Sequence, residues 1–377
     1  MLFTLQAALD AVKQYLRSGK TLEEFEAEHG IRGKTDGNHI ILDYDQITVK
    51  WTEPFGYVCR GLVLDAHTFD VLAFGLHKFF NSGEFYADQI DWNTAFVLEK
   101  LDGSMVNRWW SPHTNRFEYS TRFQLPADLQ RNQCGDFGIT WAELINRCIG
   151  EATFEQAHDE TIALEVMSPI NKVVVDHKSY KFAVLARRNN STFIESDIRT
   201  DSCAPRAYAF GSAQDVQAFA DTLKGTECEG FVVVDGNFRR VKIKGAAYVK
   251  LHHLKDGLNS LKNIILFVRK GETEEVLLHF PEFAVIANVI KGEIERLISE
   301  HEIVYNQYKD IKVQKDFALS IQRHTLVNPA WLYQVRAGRH ASIHDAAMKM
   351  DETSFVKMMK PIMKSKHNLD VSDEAEA

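Results

Sequence analysis

Cysteine is scarce and unpatterned in this sequence. Cys59, Cys134, Cys148, Cys203 and Cys228 are odd in number, scattered, and never form a C-x-x-C pair. That speaks against a zinc site and for reduced thiols in a cytoplasmic setting. No apolar run approaches the ~20 residues a membrane span needs, so no membrane partner is expected. Met1-Leu2-Phe3-Thr4 offers no basic leader ahead of an apolar block, so secretion is not expected either. Internal repeats and low-complexity tracts are missing, and His77, His252 and His253 lack metal-ligand spacing. There is no basic excess: the net charge of −8 argues against a general nucleic-acid coat protein. A pocket that grips only a few phosphates depends on local charge instead. Basic residues do cluster locally, at Arg187-Arg188, at Arg239 to Lys244, and from Lys250 to Lys255.

What is present is the make-up of a soluble globular protein, 45% apolar and 25% charged. Its 377 residues are enough for two domains. Leu5, Ala8, Leu9, Val12 and Leu16 recur at helix spacing within residues 1–30. From about 39 to 244 short β-rich runs dominate: Ile47–Trp51, Leu62–Leu64, Phe96–Leu98, Ile162–Val166, Phe182–Leu185, Phe231–Val234 and Val241–Lys244. Helical patterns interrupt them near 139–149 and 212–223. The irregular alternation predicts an antiparallel α+β domain over residues 1–256. Beyond it, Phe283, Ile286, Val289, Ile290, Ile294 and Leu297 share one helical face, and 316–325 and 342–359 read as helical too. Pro281 and Pro329 mark helix starts and Pro361 a helix stop. Residues 257–377 are therefore expected to form an all-helical C-terminal domain ending in a disordered acidic tail, Asp370–Ala377.

Lys100-Leu101-Asp102-Gly103-Ser104 follows the run Phe96-Val97-Leu98. It places a lysine where a strand stops, before an Asp-Gly pair suited to a tight turn. A lysine held so can be aimed into a cleft and, once deprotonated, serve as a nucleophile. Alone, Lys-x-Asp-Gly is short enough to arise by chance. A hairpin is predicted around Asp235-Gly236, with Lys242 and Lys244 on one face of its second strand. A two-residue loop would set Glu229 directly across from Lys242. By itself such a pair reads first as a solvated ion pair, though parallel lysines are also what a phosphate site needs and the acid could hold magnesium. Arg60 before Gly61, and Lys78 beside Phe79 and Phe80, read singly as surface cations over core aromatics. Glu165 stands inside the apolar run Ile162–Met167, where a carboxylate is costly unless paired.

Taken in chain order, Arg60-Gly61, Lys78-Phe79-Phe80-Asn81, Lys100 to Ser104, Leu164-Glu165, Leu185 to Arg188, Glu229-Gly230 and Lys242-Ile243-Lys244 form a recognisable series. From Lys100 onward they resemble motifs I, III, IIIa, IV and V of covalent lysyl-nucleotidyltransferases. The details resemble the ATP-dependent RNA ligase 1 family of tailed bacteriophages, with Ser168-Pro169-Ile170-Asn171 and Tyr248-Val249-Lys250-Leu251-His252 as supporting matches. The resemblance covers residues 40–255 at motif level.

It implies an antiparallel-sheet adenylation domain in which Lys100 attacks the α-phosphate of ATP to give lysyl-AMP. AMP then passes to an RNA 5′-phosphate, and a 3′-hydroxyl displaces it. Arg60 would contact ribose and phosphate, Lys78 the pyrophosphate, and Gly103 the nucleotide. Glu165 would fix the sugar, Glu229 would hold Mg²⁺, and Leu185 and Val232 would sandwich adenine. Lys242 and Lys244 would stabilise the phosphate charge and lower the pKa of Lys100. Where the family carries a strand lysine this chain has Arg122, and Arg188 aligns only approximately with motif IIIa. The implied partners are single-stranded RNA or a nicked tRNA, met by a monomer in the cytoplasm, that of an infected bacterial host if the chain is phage-encoded. DNA ligases and GTP-using mRNA capping enzymes share the nucleophile motif, but usually follow it with a β-barrel that residues 257–377 do not suggest. A non-catalytic RNA-binding module is the alternative of a different class.

Overall fold

In a computed structural model of the chain, residues 3–135, 138–258, 260–271, 280–324 and 327–367, with 273, 277 and 369, are described. The acidic segment Asp370–Ala377 lies outside them. Two helices open the chain, Leu5–Arg17 and Leu22–His29, each started by a threonine whose hydroxyl accepts a backbone N–H. Thr21 and Glu24 complete a capping box on the second. Leu9, Val12, Leu16 and Phe25 are buried against Ile31, Leu42, Leu62 and Leu64 of the first sheet.

The strands in chain order are β1 (Ile31–Thr35), β2 (His39–Tyr44), β3 (Arg60–Asp65), β4 (Val71–Ala73), β5 (Phe80–Asn81), β6 (Phe96–Lys100) and β7 (Ser104–Ser111). They continue with β8 (Arg116–Ser120), β9 (Glu160–Met167), β10 (Lys181–Asn189), β11 (Glu195–Ser196), β12 (Ala207–Tyr208), β13 (Gly230–Val234) and β14 (Arg240–Lys244). They make three sheets, ordered β1-β2-β3-β4, β11-β10-β9-β7-β8 and β12-β6-β13-β14-β5. Every pairing is antiparallel except that of β14 with β5. Helices Trp141–Ile149 and Ala213–Ala220 cover two of these sheets, packing Leu144 and Ile145 near Val106, and Val216 near Phe231. The α+β expectation holds.

Two local expectations fail. Ile47–Trp51 is a turn region, not a strand. The Asp45 carboxylate accepts the N–H groups of Ile47 and Thr48, both at 2.9 Å, and this local bonding replaces a ladder. The hairpin loop is longer than the Asp235-Gly236 pair suggests. Asp235 accepts the N–H groups of Asn237 and Arg239 at 2.9 and 3.0 Å, and Phe238 adopts φ +57°. Lys242 therefore pairs with Val232, and Lys244 with Gly230, so Glu229 does not face Lys242.

The chain divides into two compact units, one ending at Lys250 and one beginning at Leu251. The second contains helices Leu261–Lys270, Ala284–Tyr308, Gln314–Ile321, Pro329–Arg336, Ile343–Met348 and Glu352–His367, and no strand among its described residues. Ile290, Ile294 and Leu297 form a buried stripe of the long helix, as their spacing predicts. Pro329 does start a helix, but Pro361 lies inside the last one. Burial of Phe355, Val356, Met359 and Met363 on both sides of it sustains the helix through the hydrogen bond that proline omits. No described helix is long and apolar enough to cross a membrane.

Candidate active site

Pairing across β6, β13 and β14 sets the geometry. Lys100 is opposite Gly230, which is opposite Lys244; in the next row of the same face stand Leu98, Val232 and Lys242. Gly230 adopts φ +143°, and a Cβ there would meet the Ile243 carbonyl oxygen at 2.2 Å, so no other residue fits between the lysines. The preceding residue, Glu229, is 3% exposed and bridges them. Its Oε2 accepts from Lys100 Nζ at 2.6 Å and its Oε1 lies 2.9 Å from Lys244 Nζ. This corrects the expected electrostatics: Lys100 and Lys244 share a carboxylate. The crowded cation is Lys242, brought down to about 7 by burial and then by Lys78, Lys100, Lys244 and Arg60.

These side chains open onto a cavity of about 230 Å³ within the first unit. Arg60, Lys78, Arg122, Glu165, Leu185 and Val232 line it together with Lys100, Lys242 and Lys244. Leu185 reaches it through a bulge: β10 pairs Val184 with Leu164 and Ala186 with Ala163, leaving Leu185 as the extra residue. Arg60 donates to Met105 Sδ at 3.0 Å, and Lys78 sits over the rings of Tyr44, Trp51 and Phe80. Arg122 is clamped by Asp43 through Nη2, at 2.8 Å from both carboxylate oxygens. Burial pushes the Glu165 carboxyl up to about 7, with Lys100 opposing the rise.

Gly103 does not line the cavity. Its lack of a side chain permits close packing, since a Cβ would stand 2.5 Å from the Val166 carbonyl oxygen. Asp102 is buried and accepts from the N–H groups of Val174 and Val175, at 2.8 and 2.6 Å, and from Tyr248 Oη at 2.8 Å. It thereby fixes the segment that follows Lys100. Arg188 does not line the cavity either: it is buried with Glu195, which also binds Arg240 at 2.9 Å, and of the two arginines Arg240 reaches the cavity. Asp43 and Glu195 had no signal in the sequence. Each acts through a partner far along the chain, and β11, which carries Glu195, is two residues long.

Arg60, Lys78 and Lys242 have no carboxylate in ion-pair contact among the described residues, while Lys100 and Lys244 share one. The surplus of positive charge suits a polyanion such as a nucleotide's phosphates. No group of three or more His, Cys, Asp or Glu among the described residues could cage a metal. Glu165 lines the cavity and Glu229 does not; both Glu229 oxygens are held by Lys100 and Lys244, so it could take a magnesium-type ion, which needs one or two carboxylates, only as those ammonium groups move off it.

No model of a known protein family matches the chain. A viral protein of Autographa californica nuclear polyhedrosis virus, named "Putative bifunctional polynucleotide kinase/RNA ligase", is 25% identical over 379 residues, covering 89% of this chain and 50% of that protein. The chain thus spans about half the length of that relative. Among solved structures, an archaeal ATP-dependent RNA ligase is 15% identical with a TM-score of 0.46, covering 77% of this chain and 82% of the other. A mutant RNA ligase of Naegleria gruberi, solved with ATP and Mn, is 14% identical with a TM-score of 0.30, covering 42% of this chain and 52% of that one.

Proposed function

We propose that the protein is an ATP-dependent RNA ligase that works through a lysyl-AMP intermediate. The observation that carries this reading is Lys100, hydrogen-bonded to Glu229 and flanked by Lys244, lining a cavity with Lys78, Lys242 and Arg60, which have no carboxylate partner among the described residues. The motif order seen in the sequence and the viral relative named as a kinase and RNA ligase support it.

In the first step Lys100 leaves Glu229, sheds one proton to solvent, and forms an N–P bond to the α-phosphate as the P–O bond to pyrophosphate breaks; the nitrogen then releases a second proton to solvent. Lys242 and Lys244 stabilise the charge gathering on that phosphate. Lys78 and the Asp43-clamped Arg122 receive the pyrophosphate, and Arg60 holds the ribose and α-phosphate. Leu185 and Val232 provide apolar faces for adenine, and Glu165 accepts from the sugar. A divalent cation held by Glu229 would supply neutralising charge on the phosphates. In the second step an RNA 5′-phosphate oxygen attacks the same phosphorus, the N–P bond breaks, and Lys100 regains a proton. Finally a 3′-hydroxyl attacks the activated 5′-phosphate and AMP departs.

The finer reading is the phage RNA ligase 1 type, sealing single-stranded ends as in the repair of a cut tRNA. Incubation with ATP, Mg²⁺ and a 5′-phosphorylated single-stranded RNA is expected to yield circles, and Lys100→Ala none. Joining only of nicks in a duplex would replace the single-strand reading.

A further inference from the structure

Five aromatic rings run in unbroken succession from the cavity to solvent. Tyr44 lines the cavity, and its ring centroid lies 5.1 Å from that of Trp51. Trp51 is 5.1 Å from Phe80, Phe80 is 5.8 Å from Tyr86, and Tyr86 is 5.0 Å from Phe85. Lys78 Nζ stands over the first three rings at 5.1, 5.0 and 4.9 Å, so positive charge sits at the inner end of the row. Phe85, at the outer end, is 92% exposed.

The loop bearing Phe85 is tied to the cavity. β5 pairs with β14, and the next N–H, that of Ser82, donates to the Lys242 carbonyl at 2.9 Å. Glu84 is folded back to accept the Asn81 N–H at 3.1 Å, so the acid beside Phe85 is already engaged. Ile47, which follows the cavity residue Gln46, is 93% exposed. One bare apolar side chain on a surface needs no explanation. Phe85 is different: it is the bare end of a packed row of rings, Tyr44 and Phe80 among them buried, that starts in a cationic cavity. Cations for the backbone and ring faces for the bases are what grip a single strand.

We infer that Phe85 is a stacking site for a base of the single-stranded RNA whose end enters the cavity. This rests on the ligase reading for the identity of the strand. The cavity cations hold its terminal phosphate, and Phe85 fixes how a nearby base approaches.

The test uses the full-length protein, wild type, Phe85→Ala and Phe85→Trp, with a 5′-phosphorylated single-stranded RNA carrying 2-aminopurine near its 5′ end. Phe85→Ala is expected to weaken RNA binding about tenfold and to lose the fluorescence quenching that stacking produces. Phe85→Trp should keep both. Covalent labelling of Lys100 by ATP, which involves no RNA, should proceed in all three. Unchanged affinity and quenching in Phe85→Ala would overturn the site. So would loss of ATP labelling in that variant, because the ring would then belong to the nucleotide fold. If the wild type binds RNA through Phe85 but takes no label from ATP, the stacking site stands and the ligase reading falls.

Discussion

Lys100 and Lys244 can share Glu229 only because Gly230 separates them in the sheet without a side chain of its own. A single carboxylate sets the position of two ammonium groups. Glu229→Gln is therefore expected to slow formation of the lysine adenylate by roughly a hundredfold or more, measured as the initial rate of labelling. A rate within a few-fold of wild type would remove Glu229 from the account. Glu165 makes a second prediction through its proton. Its folded pKa, about 7, lies above the ordinary 4.5, so the native state retains a proton that the unfolded chain has already lost. Stability tied to this group is present below about 4.5 and is lost as pH rises through 7. Glu165→Gln should flatten that slope and stabilise the protein at pH 8 by up to roughly 3 kcal/mol, at the expense of ATP labelling. Parallel curves of unfolding midpoint against pH for the two proteins would contradict it. Lys242 has the opposite sign: its folded pKa of about 7 lies below 10.5, so stability linked to it grows as pH rises between them.

At the scale of elements, the hairpin of β13 and β14 is the piece on which the site depends. Gly230→Ala would drive a Cβ to 2.2 Å from the Ile243 oxygen. It is expected to cost roughly 3 kcal/mol in urea unfolding and to abolish labelling. Much of this hairpin could be read in advance. The alternation Val241-Lys242-Ile243-Lys244 gave the strand and set both lysines on one face; that this face lines a cavity was not in the pattern. The hairpin's register could not be read, because the loop is lengthened by hydrogen bonds that Asn237 and Arg239 N–H donate to Asp235 and that no turn dipeptide encodes. The same holds for residues 47–51, where β-branched and aromatic side chains suggested a strand and one Asp45 carboxylate decided for a turn. Leu185 was named as a base-contacting residue by motif; the bulge that delivers it to the cavity has no sequence mark. Long-range clamps were the least legible. Asp43 on Arg122, and Glu195 between Arg188 and Arg240, join positions that only the sheet topology brings together.

For the whole molecule, a net charge of −8 coexists with a cavity ringed by arginine and lysine. Overall acidity restrains non-specific binding of nucleic acid and leaves recognition to a few fixed cations. Every residue lining that cavity lies before Lys250, in the first unit. A chain ending after Leu258 is thus expected to keep ATP labelling while its choice of RNA changes; soluble protein of that length without labelling would show that the helical unit takes part in the chemistry. The central claim is the covalent role of one amine, and it has a direct measurement. Protein incubated with Mg²⁺ and ATP labelled at the α-phosphate should carry the label on Lys100 through an acid-labile N–P bond. Lys100→Ala should carry none. Label placed on another residue, label taken from GTP alone, or no label at all in the wild type would contradict the account.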